Sequence, residues 1–173
     1  DSSEDCYGLP GTMDENIGVY DPFSFSKGQS LDQMKRFRES EVMHSRVAMM
    51  AVVGYLVGES TPTPFGVSGP ANDQLQQVPF PLFCGLTFAI GLAETFRATK
   101  GWVEPGKVVP ANKGGSGGPG ILRDNYYPGD LGFDPLGLKP KTAEKFATMQ
   151  TKELNNGRLA MIGVAGFCAQ ELV

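Results

Sequence analysis

Two segments of the chain place the same polar residue types at the same spacing. The first reads EVMHSRVAM from Glu41, and the second reads ELNNGRLAM from Glu153, 112 residues later. Each combines a carboxylate, a neutral residue able to bind a metal, and an arginine. His44 and Asn156 stand three residues after their glutamates, so each shares a helix face with its glutamate. An internal repeat of this kind predicts two equivalent helices that present the same ligand chemistry.

The arginines of the repeat are expected to pair between these helices. Glutamate and arginine five residues apart lie about 140° apart around a helix, whereas partners within one helix lie three or four residues apart. If the helices cross, Glu41 can reach Arg158 and Glu153 can reach Arg46. The spacing therefore predicts two ion pairs related by a pseudo-two-fold axis.

The basic residues are distributed unevenly along the chain. None of the 15 Lys and Arg residues lies in residues 47–96 or after Arg158. The segments without basic residues contain apolar runs at residues 47–58, 80–96 and 159–173. Because Lys and Arg collect on one side of a membrane, this pattern predicts three spans. The N-terminus and residues 97–152 would lie on one side, and residues 59–78, a turn rich in Pro and Gly, would lie with the C-terminus on the other.

A soluble helical domain is the alternative interpretation. The first apolar run has 12 residues, whereas a transmembrane helix needs about 20, and a hydrophobic content of 40% is ordinary for a soluble protein. Two facts favour a membrane protein. The basic residues are cleanly separated from the apolar runs, and the polar motif residues extend each apolar run into one long helix. A helix over residues 31–58 would be about 42 Å long, and its polar half would have to face another helix or a cofactor.

The predicted fold is an all-α membrane protein with three transmembrane helices, at roughly residues 31–58, 80–100 and 142–171 of a single domain spanning residues 1–173. The first and third helices would cross. Ser30 followed by Gln33 is a capping-box pattern for the first helix. The other boundaries follow from helix-starting or helix-ending residues, namely Pro79, Pro81, Gly101, Pro140 and Thr142.

The remaining composition excludes several classes of function. The net charge of −4 argues against nucleic-acid binding. The three cysteines, Cys6, Cys84 and Cys168, do not have the spacing of metal ligands. The chain has a single histidine, which excludes a bis-histidine haem and gives no support to a Ser/His/Asp catalytic triad. No enzymatic activity is predicted. Because the chain begins at Asp1, we expect that a transit peptide has been removed.

The repeat extends to a turn ahead of each helix. Asp21 stands between Tyr20 and Pro22, and Asp134 stands between Phe133 and Pro135, at similar distances before the two glutamates. A residue before proline favours extended backbone. Each aromatic-Asp-Pro sequence is therefore expected to be a turn that leads an extended segment into a helix.

These motifs closely resemble those of the light-harvesting chlorophyll-binding superfamily. The strings ESEVMHSRVAMM and KELNNGRLAMIGVAGFCAQ resemble its first and third membrane helices, and PGDLGFDPLGL resembles its pigment-contacting loop. The resemblance covers about residues 20–173. Long connections rich in Gly and Pro, with short lumenal loops, most resemble the red-lineage branch, which includes fucoxanthin chlorophyll a/c proteins.

The resemblance implies a set of ligands for chlorophyll magnesium, namely Glu41, His44, Glu94, Glu153, Asn156 and Gln170. This metal has an open axial position that takes a hard oxygen or an imidazole nitrogen. A glutamate paired with Arg46 or Arg158 would keep one oxygen for the metal while the pairing cancels its charge. Glu94 with Arg97 resembles a ligand and its partner, although a plain interfacial charge is the alternative. Leu86 stands where plant members carry glutamine, so that site would be absent or held by water.

The resemblance also implies chlorophyll a, chlorophyll c and carotenoids of the fucoxanthin type or a related xanthophyll. Carotenoid head groups would lie near Asp21 and near Asp134 with Pro135. Trp102 and the pair Tyr126 and Tyr127 are expected to be interfacial anchors or pigment contacts.

The implied function is photosynthetic light harvesting in the plastid thylakoid membrane, with a stromal N-terminus and a lumenal C-terminus. Such an antenna would pass excitation energy to a photosystem core and would contact neighbouring antenna subunits and thylakoid lipids. One alternative is a photoprotective member that dissipates energy. Another is a pigment-free membrane transporter in which buried Glu and Arg pairs line a path.

Overall fold

The structure is a computed structural model that describes residues 6–11, 20–61, 66–104 and 121–172. These ranges hold a short 3-10 turn at Cys6–Gly8 and four α-helices. The helices are α1 (Leu31–Ser60), α2 (Ala71–Gln77), α3 (Phe80–Gly101) and α4 (Ala143–Gln170). Within the described ranges there is no strand, only an isolated bridge between Trp102 and Leu122. The all-α architecture expected from the sequence is therefore present.

The start of α1 is fixed by a reciprocal pair of side-chain hydrogen bonds. The backbone N–H of Ser30 donates to Oε1 of Gln33 at 2.9 Å, and the backbone N–H of Gln33 donates to Oγ of Ser30 at 3.4 Å. Two amides at the helix start are thereby satisfied by side chains. The predicted capping box is confirmed.

The helix α2 is a correction to the sequence interpretation, which expected only a turn at residues 59–78. Pro70 leads into α2 with extended backbone, and the carboxylate of Glu171 accepts hydrogen bonds from the N–H groups of Ala71 at 3.2 Å and Asn72 at 2.7 Å. The side chain of Gln74 also donates to the carbonyl oxygen of Gly58 at 3.1 Å. A helix this short depends on such long-range contacts, which local sequence does not reveal.

The chain forms two compact units. One consists of Asp1–Met43 and Arg97–Asn155, and the other of His44–Phe96 and Asn156–Val173. The buried apolar side chains of the first unit include Met34, Val42, Leu122, Tyr126 and Leu154. In the second unit, Ala48 and Val67 are buried, and so is the polar Ser45.

Among the described helices, none alone has both the length and the apolar composition that a membrane crossing requires. The pair α2 and α3 meets the requirement together, with a bend of 108° between its two helices.

Candidate functional site

In the second unit, α1 and α4 approach each other closely at Ser45 and Gly157. Ser45 is 0% exposed and Gly157 is buried. A Cβ atom added at Gly157 would overlap the Ser45 side chain and would lie 3.0 Å from its Cα atom. Only glycine therefore allows this approach. The two residues are 112 apart, so they hold equivalent positions of the repeat.

A second contact between equivalent positions lies further along the same helices. The rings of Tyr55 and Phe167 stack with centroids 5.6 Å apart and an interplanar angle of 27°. These residues are also separated by 112 positions. The Tyr55 hydroxyl contacts Sγ of Cys168 at 3.0 Å and donates to Oδ1 of Asn72 at 2.5 Å. The ring pair and its polar contacts thus tie α1, α4 and α2 together within this unit.

All the predicted magnesium ligands lie on helices, outside the apolar core. Four side chains are exposed, namely His44, Glu94, Asn156 and Gln170, and two are half-buried, namely Glu41 and Glu153. His44 and Asn156 directly precede Ser45 and Gly157, so these donors flank the close approach of α1 and α4.

Exposed apolar side chains accompany both neutral donors. Val47 follows His44 by three residues, and Leu159 follows Asn156 by three, so each shares a helix face with its donor. Both apolar side chains are exposed. An oxygen or imidazole donor beside an apolar surface suits chlorophyll, whose magnesium prefers hard donors and whose ring is flat and apolar. The donors and their surroundings therefore fit this group.

Glu41 has an ion pair that the sequence analysis did not predict. Nη1 of Arg38 lies 2.8 Å from Oε2 of Glu41, one helical turn away in α1. The expected pairs of Glu41 with Arg158 and of Glu153 with Arg46 remain predictions, and all four of these side chains are half-buried. The spacing of three residues between Arg38 and Glu41 was the sequence signal for the observed pair.

Among the residues that the structure describes, the most deeply buried carboxylate is that of Glu39, which the predicted site does not include. It is 1% exposed and accepts three hydrogen bonds. Nη1 of Arg97 donates to Oε1 at 3.0 Å, while the Tyr126 hydroxyl at 3.0 Å and the Gly129 N–H at 2.8 Å donate to Oε2. Arg97 was expected to partner Glu94, and that pairing remains a prediction. The sequence did contain a signal for the burial of Glu39. It stands three residues before the buried Val42, so the two side chains share one face of α1.

Tyr126 is the hydroxyl partner in this cluster. Burial, followed by the negative charge of Glu39, raises the pKa of Tyr126 to about 12. A Cβ atom added at Gly101 would lie 3.1 Å from the Tyr126 ring, so the end of α3 packs directly against the tyrosine. Burial also raises the pKa of Tyr127, whose ring lies 6.4 Å from that of Phe146.

The two aromatic-Asp-Pro turns have the same internal hydrogen bonds. In each, one carboxylate oxygen accepts the N–H of the fourth residue after the aspartate, and the other accepts that of the fifth. The distances are 2.9 and 2.7 Å at Asp21, and 2.9 and 2.9 Å at Asp134. Ser24 with φ 55° and Gly137 with φ 65° occupy the same left-handed position, three residues after each aspartate. The repeat therefore includes the turns as well as the helices.

These turns use their carboxylates internally and expose apolar side chains. Hydrogen bonds lower the pKa of both carboxyl groups, mainly from the Ser26 hydroxyl at Asp21 and from the Lys139 backbone N–H at Asp134. The apolar side chains at matching positions are 67–80% exposed, namely Tyr20, Phe23 and Phe25 in one turn and Phe133, Leu136 and Leu138 in the other. Pro135 is exposed as well.

Known proteins with similar sequences cover nearly the whole chain. A family model described as Chlorophyll A-B binding protein matches residues 5–172. The chain is 48% identical over 172 residues to light-harvesting complex stress-related protein 3.2, chloroplastic, of Chlamydomonas reinhardtii, covering 95% of this chain and 63% of that protein. It is 46% identical over 177 residues to the fucoxanthin-chlorophyll a-c binding protein, chloroplastic, of Isochrysis galbana, covering 99% and 80%.

A more distant relative is chlorophyll a-b binding protein 6A, chloroplastic, of Solanum lycopersicum, which is 32% identical over 161 residues and is 57% covered. The chain thus spans about 63% of the length of the stress-related relative. The family expected from the helix motifs is confirmed, and its members are pigment-binding proteins, not enzymes. The chain belongs to the light-harvesting chlorophyll-binding superfamily, in its red-lineage branch of helical membrane proteins.

Proposed function

We propose that this protein is a light-harvesting antenna of the plastid thylakoid membrane, which binds chlorophylls and carotenoids and passes excitation energy to a photosystem. The observation that carries the proposal is the matched placement of His44 and Asn156. Each is an exposed donor beside the close approach of α1 and α4, and each shares a helix face with an exposed apolar residue. The match of residues 5–172 to a chlorophyll-binding family supports chlorophyll as the group that these donors bind.

We place α1, α3 and α4 across the membrane, with the N-terminus stromal and the C-terminus lumenal. The distribution of basic residues supports this orientation. Every residue of α3 from 80 to 96 is exposed, as expected of a helix that is covered by lipid and pigment.

The pseudo-two-fold relation between α1 and α4 is supported by two contacts. A residue near a two-fold axis meets its own equivalent across that axis. Ser45 with Gly157 and Tyr55 with Phe167 are both pairs of this kind. The crossed pairs of Glu41 with Arg158 and of Glu153 with Arg46 would complete the arrangement.

The chlorophyll ligands in this proposal are Glu41, His44, Glu94, Glu153, Asn156 and Gln170. Chlorophyll supplies light absorption when bound, and the chain holds its magnesium, sets its orientation and excludes water from its ring. Asn156 and Gln170 bring neutral amide oxygens, so they strand no charge in lipid. Glu41 requires Arg158, and Glu153 requires Arg46, for the same purpose.

Carotenoid head groups would dock on the turns at Asp21 and at Asp134 with Pro135. Because both carboxylates are occupied by backbone amides, the exposed apolar side chains of the turns would make the contact. Chlorophyll a, chlorophyll c and a fucoxanthin-type xanthophyll are supported by the name of the Isochrysis relative.

The second candidate is energy dissipation, which the 48% identity to a stress-related protein favours. Harvesting and dissipation use the same fold and ligand types. They differ in the lifetime of the excited state. In either role, photosystem cores, neighbouring antenna subunits and thylakoid lipids would be the partners.

The test is reconstitution of the chain with a plastid pigment extract, followed by chromatography of the bound pigments. We expect stoichiometric chlorophyll and carotenoid, with chlorophyll emission excited through the carotenoid bands. A fluorescence lifetime close to that of free chlorophyll supports harvesting, whereas a strongly shortened lifetime supports dissipation. A purified chain that retains no pigment would contradict both roles and would revive the transporter interpretation.

A further inference from the structure

Glu39 is a buried carboxylate for which the pigment sites give no role. It lies in α1 two residues before Glu41. Burying a carboxylate is costly unless it is paired and hydrogen-bonded. At 1% exposure, this one is fully satisfied by Arg97, Tyr126 and Gly129.

The three donors come from separate parts of the first unit. Arg97 lies near the end of α3, while Tyr126 and Gly129 belong to the loop that leads toward the turn at Asp134. The donors are 58, 87 and 90 residues from Glu39 along the chain. One carboxylate therefore joins α1, α3 and the loop.

The contacts around this carboxylate leave little freedom. Gly129 N–H also lies 3.3 Å from the Tyr126 hydroxyl, so the two donors to Oε2 are linked to each other. The Tyr126 ring packs against Gly101 in the last turn of α3. Backbone and side-chain bonds fix the cluster from several directions, as a positioning element requires.

Resting on the antenna function proposed above, we propose that Glu39 is a positioning residue for the pigments. Its carboxylate holds α1, the end of α3 and residues 126–129 at a fixed spacing. The pigment held by Glu41 and the ligand at the Asp134 turn thereby keep a set mutual geometry. Excitonic coupling between pigments depends steeply on spacing and orientation, so a shift at Glu39 alters the spectrum without removing a ligand.

The decisive variant is Glu39→Gln. An amide group can accept on only one side, so it cannot satisfy both Arg97 and the pair Tyr126 and Gly129. In the reconstituted complex, we expect unchanged pigment stoichiometry and altered circular dichroism in the chlorophyll bands. Backbone hydrogen exchange should accelerate at least tenfold in residues 126–129 or in the last turn of α3.

Asp124→Asn is the matched control. Asp124 is exposed and lies in the same loop, two residues before Tyr126 and outside the pigment-contacting motif. The substitution removes one carboxylate charge from the loop and leaves the bonds to Glu39 in place. We expect the chlorophyll dichroism and the exchange of residues 126–129 to match those of the parent.

Faster exchange in Glu39→Gln with parental dichroism would overturn the proposal, because Glu39 would then stabilise only the local structure and would not affect pigment geometry. If Glu39→Gln does not assemble, Tyr126→Phe decides, since it removes one donor and leaves the ion pair. Altered dichroism at full pigment content then supports positioning, and parental dichroism overturns it. Absence of pigment from the parent would instead contradict the antenna function itself.

Discussion

Gly157 sets the distance between α1 and α4 through a single missing methyl group. Its place in the repeat corresponds to Ser45, and the two residues touch. Gly157→Ala should therefore force the helices apart and destabilise the pigment complex by about 1–3 kcal/mol, the usual cost of overpacking. Thermal melting of the reconstituted complex measures the loss.

Two further variants separate crowding from other effects. Ser45→Gly combined with Gly157→Ala moves the small residue to the other helix and should restore most of the melting temperature. Gly166→Ala is the control, because nothing in the described structure lies within 4 Å of its added Cβ. A double variant no more stable than Gly157→Ala would show that contact with Ser45 is not the cause.

The Ser45 hydroxyl leads to a separate expectation. Its Oγ is buried and has no hydrogen-bond partner in the described part of the chain. Ser45→Ala removes this unsatisfied group and should raise the free energy of unfolding by roughly 1 kcal/mol. Denaturant or thermal melting of the complex gives the difference. A clear loss of stability would indicate that a ligand or partner satisfies the hydroxyl.

At the scale of elements, the turns at Asp21 and Asp134 have the same backbone structure although their sequences differ. Ser24 holds the left-handed backbone that Gly137 holds in the other turn. This conformation costs a non-glycine residue about 1–2 kcal/mol, partly offset by the larger entropy that glycine loses on folding. Ser24→Gly should therefore stabilise the turn slightly, and Gly137→Ala should destabilise it by about 1 kcal/mol. Ser24→Ala, which keeps the strain, is the control in thermal melting and should show no gain.

The same turns predict an acid limit for stability. Hydrogen bonds lower the pKa of Asp21 and Asp134 below the ordinary value of 3.8. The stabilisation by the ionised forms is complete above that ordinary value and is lost as the pH falls through the lowered folded value. Melting temperatures of the parent should drop below about pH 4. The variant with Asp21→Asn and Asp134→Asn should lose this part of the pH dependence, and an identical pH profile in both proteins would contradict the assignment.

Structure that depends on residues close together in the sequence could be predicted, whereas structure that depends on long-range contacts could not. Ser30 and Gln33 lie within one turn, so their capping box could be recognised from spacing alone. The helix α2 could not, because Glu171, which caps its start, is about 100 residues away. Glu39 shares a helix face with the buried Val42, but its partners lie 58 to 90 residues away, so the hydrogen-bonded cluster could not be predicted from local spacing.

The candidate site was also predictable only in part. The repeat located His44 and Asn156 because two copies of one pattern reinforce each other, and both lie exposed on helices. For ion pairs the repeat was less informative. Arg38, one turn before Glu41 in the same helix, lies 2.8 Å from it and was not predicted, and the pairs expected between the two helices remain predictions.

At the scale of the whole molecule, the apolar surface indicates that the fold depends on what covers it. Residues 80–96 of α3 are all exposed, and α1 and α4 expose Met50 and Ile162 at equivalent positions of the repeat. A ligand that binds only the folded state stabilises that state by mass action. We therefore expect the pigment-free chain in detergent to be only partly helical, and to gain helix when chlorophyll and carotenoid are added.

Far-ultraviolet circular dichroism of the chain with and without pigment measures this gain. Carotenoid alone and chlorophyll alone serve as controls, because helix gained only with both would show that the two ligand classes cover different faces. The melting temperature should rise with pigment concentration, as linkage requires. Equal helix content and equal melting in all four samples would mean that the polypeptide folds without its ligands, and that pigment is not what stabilises the helices.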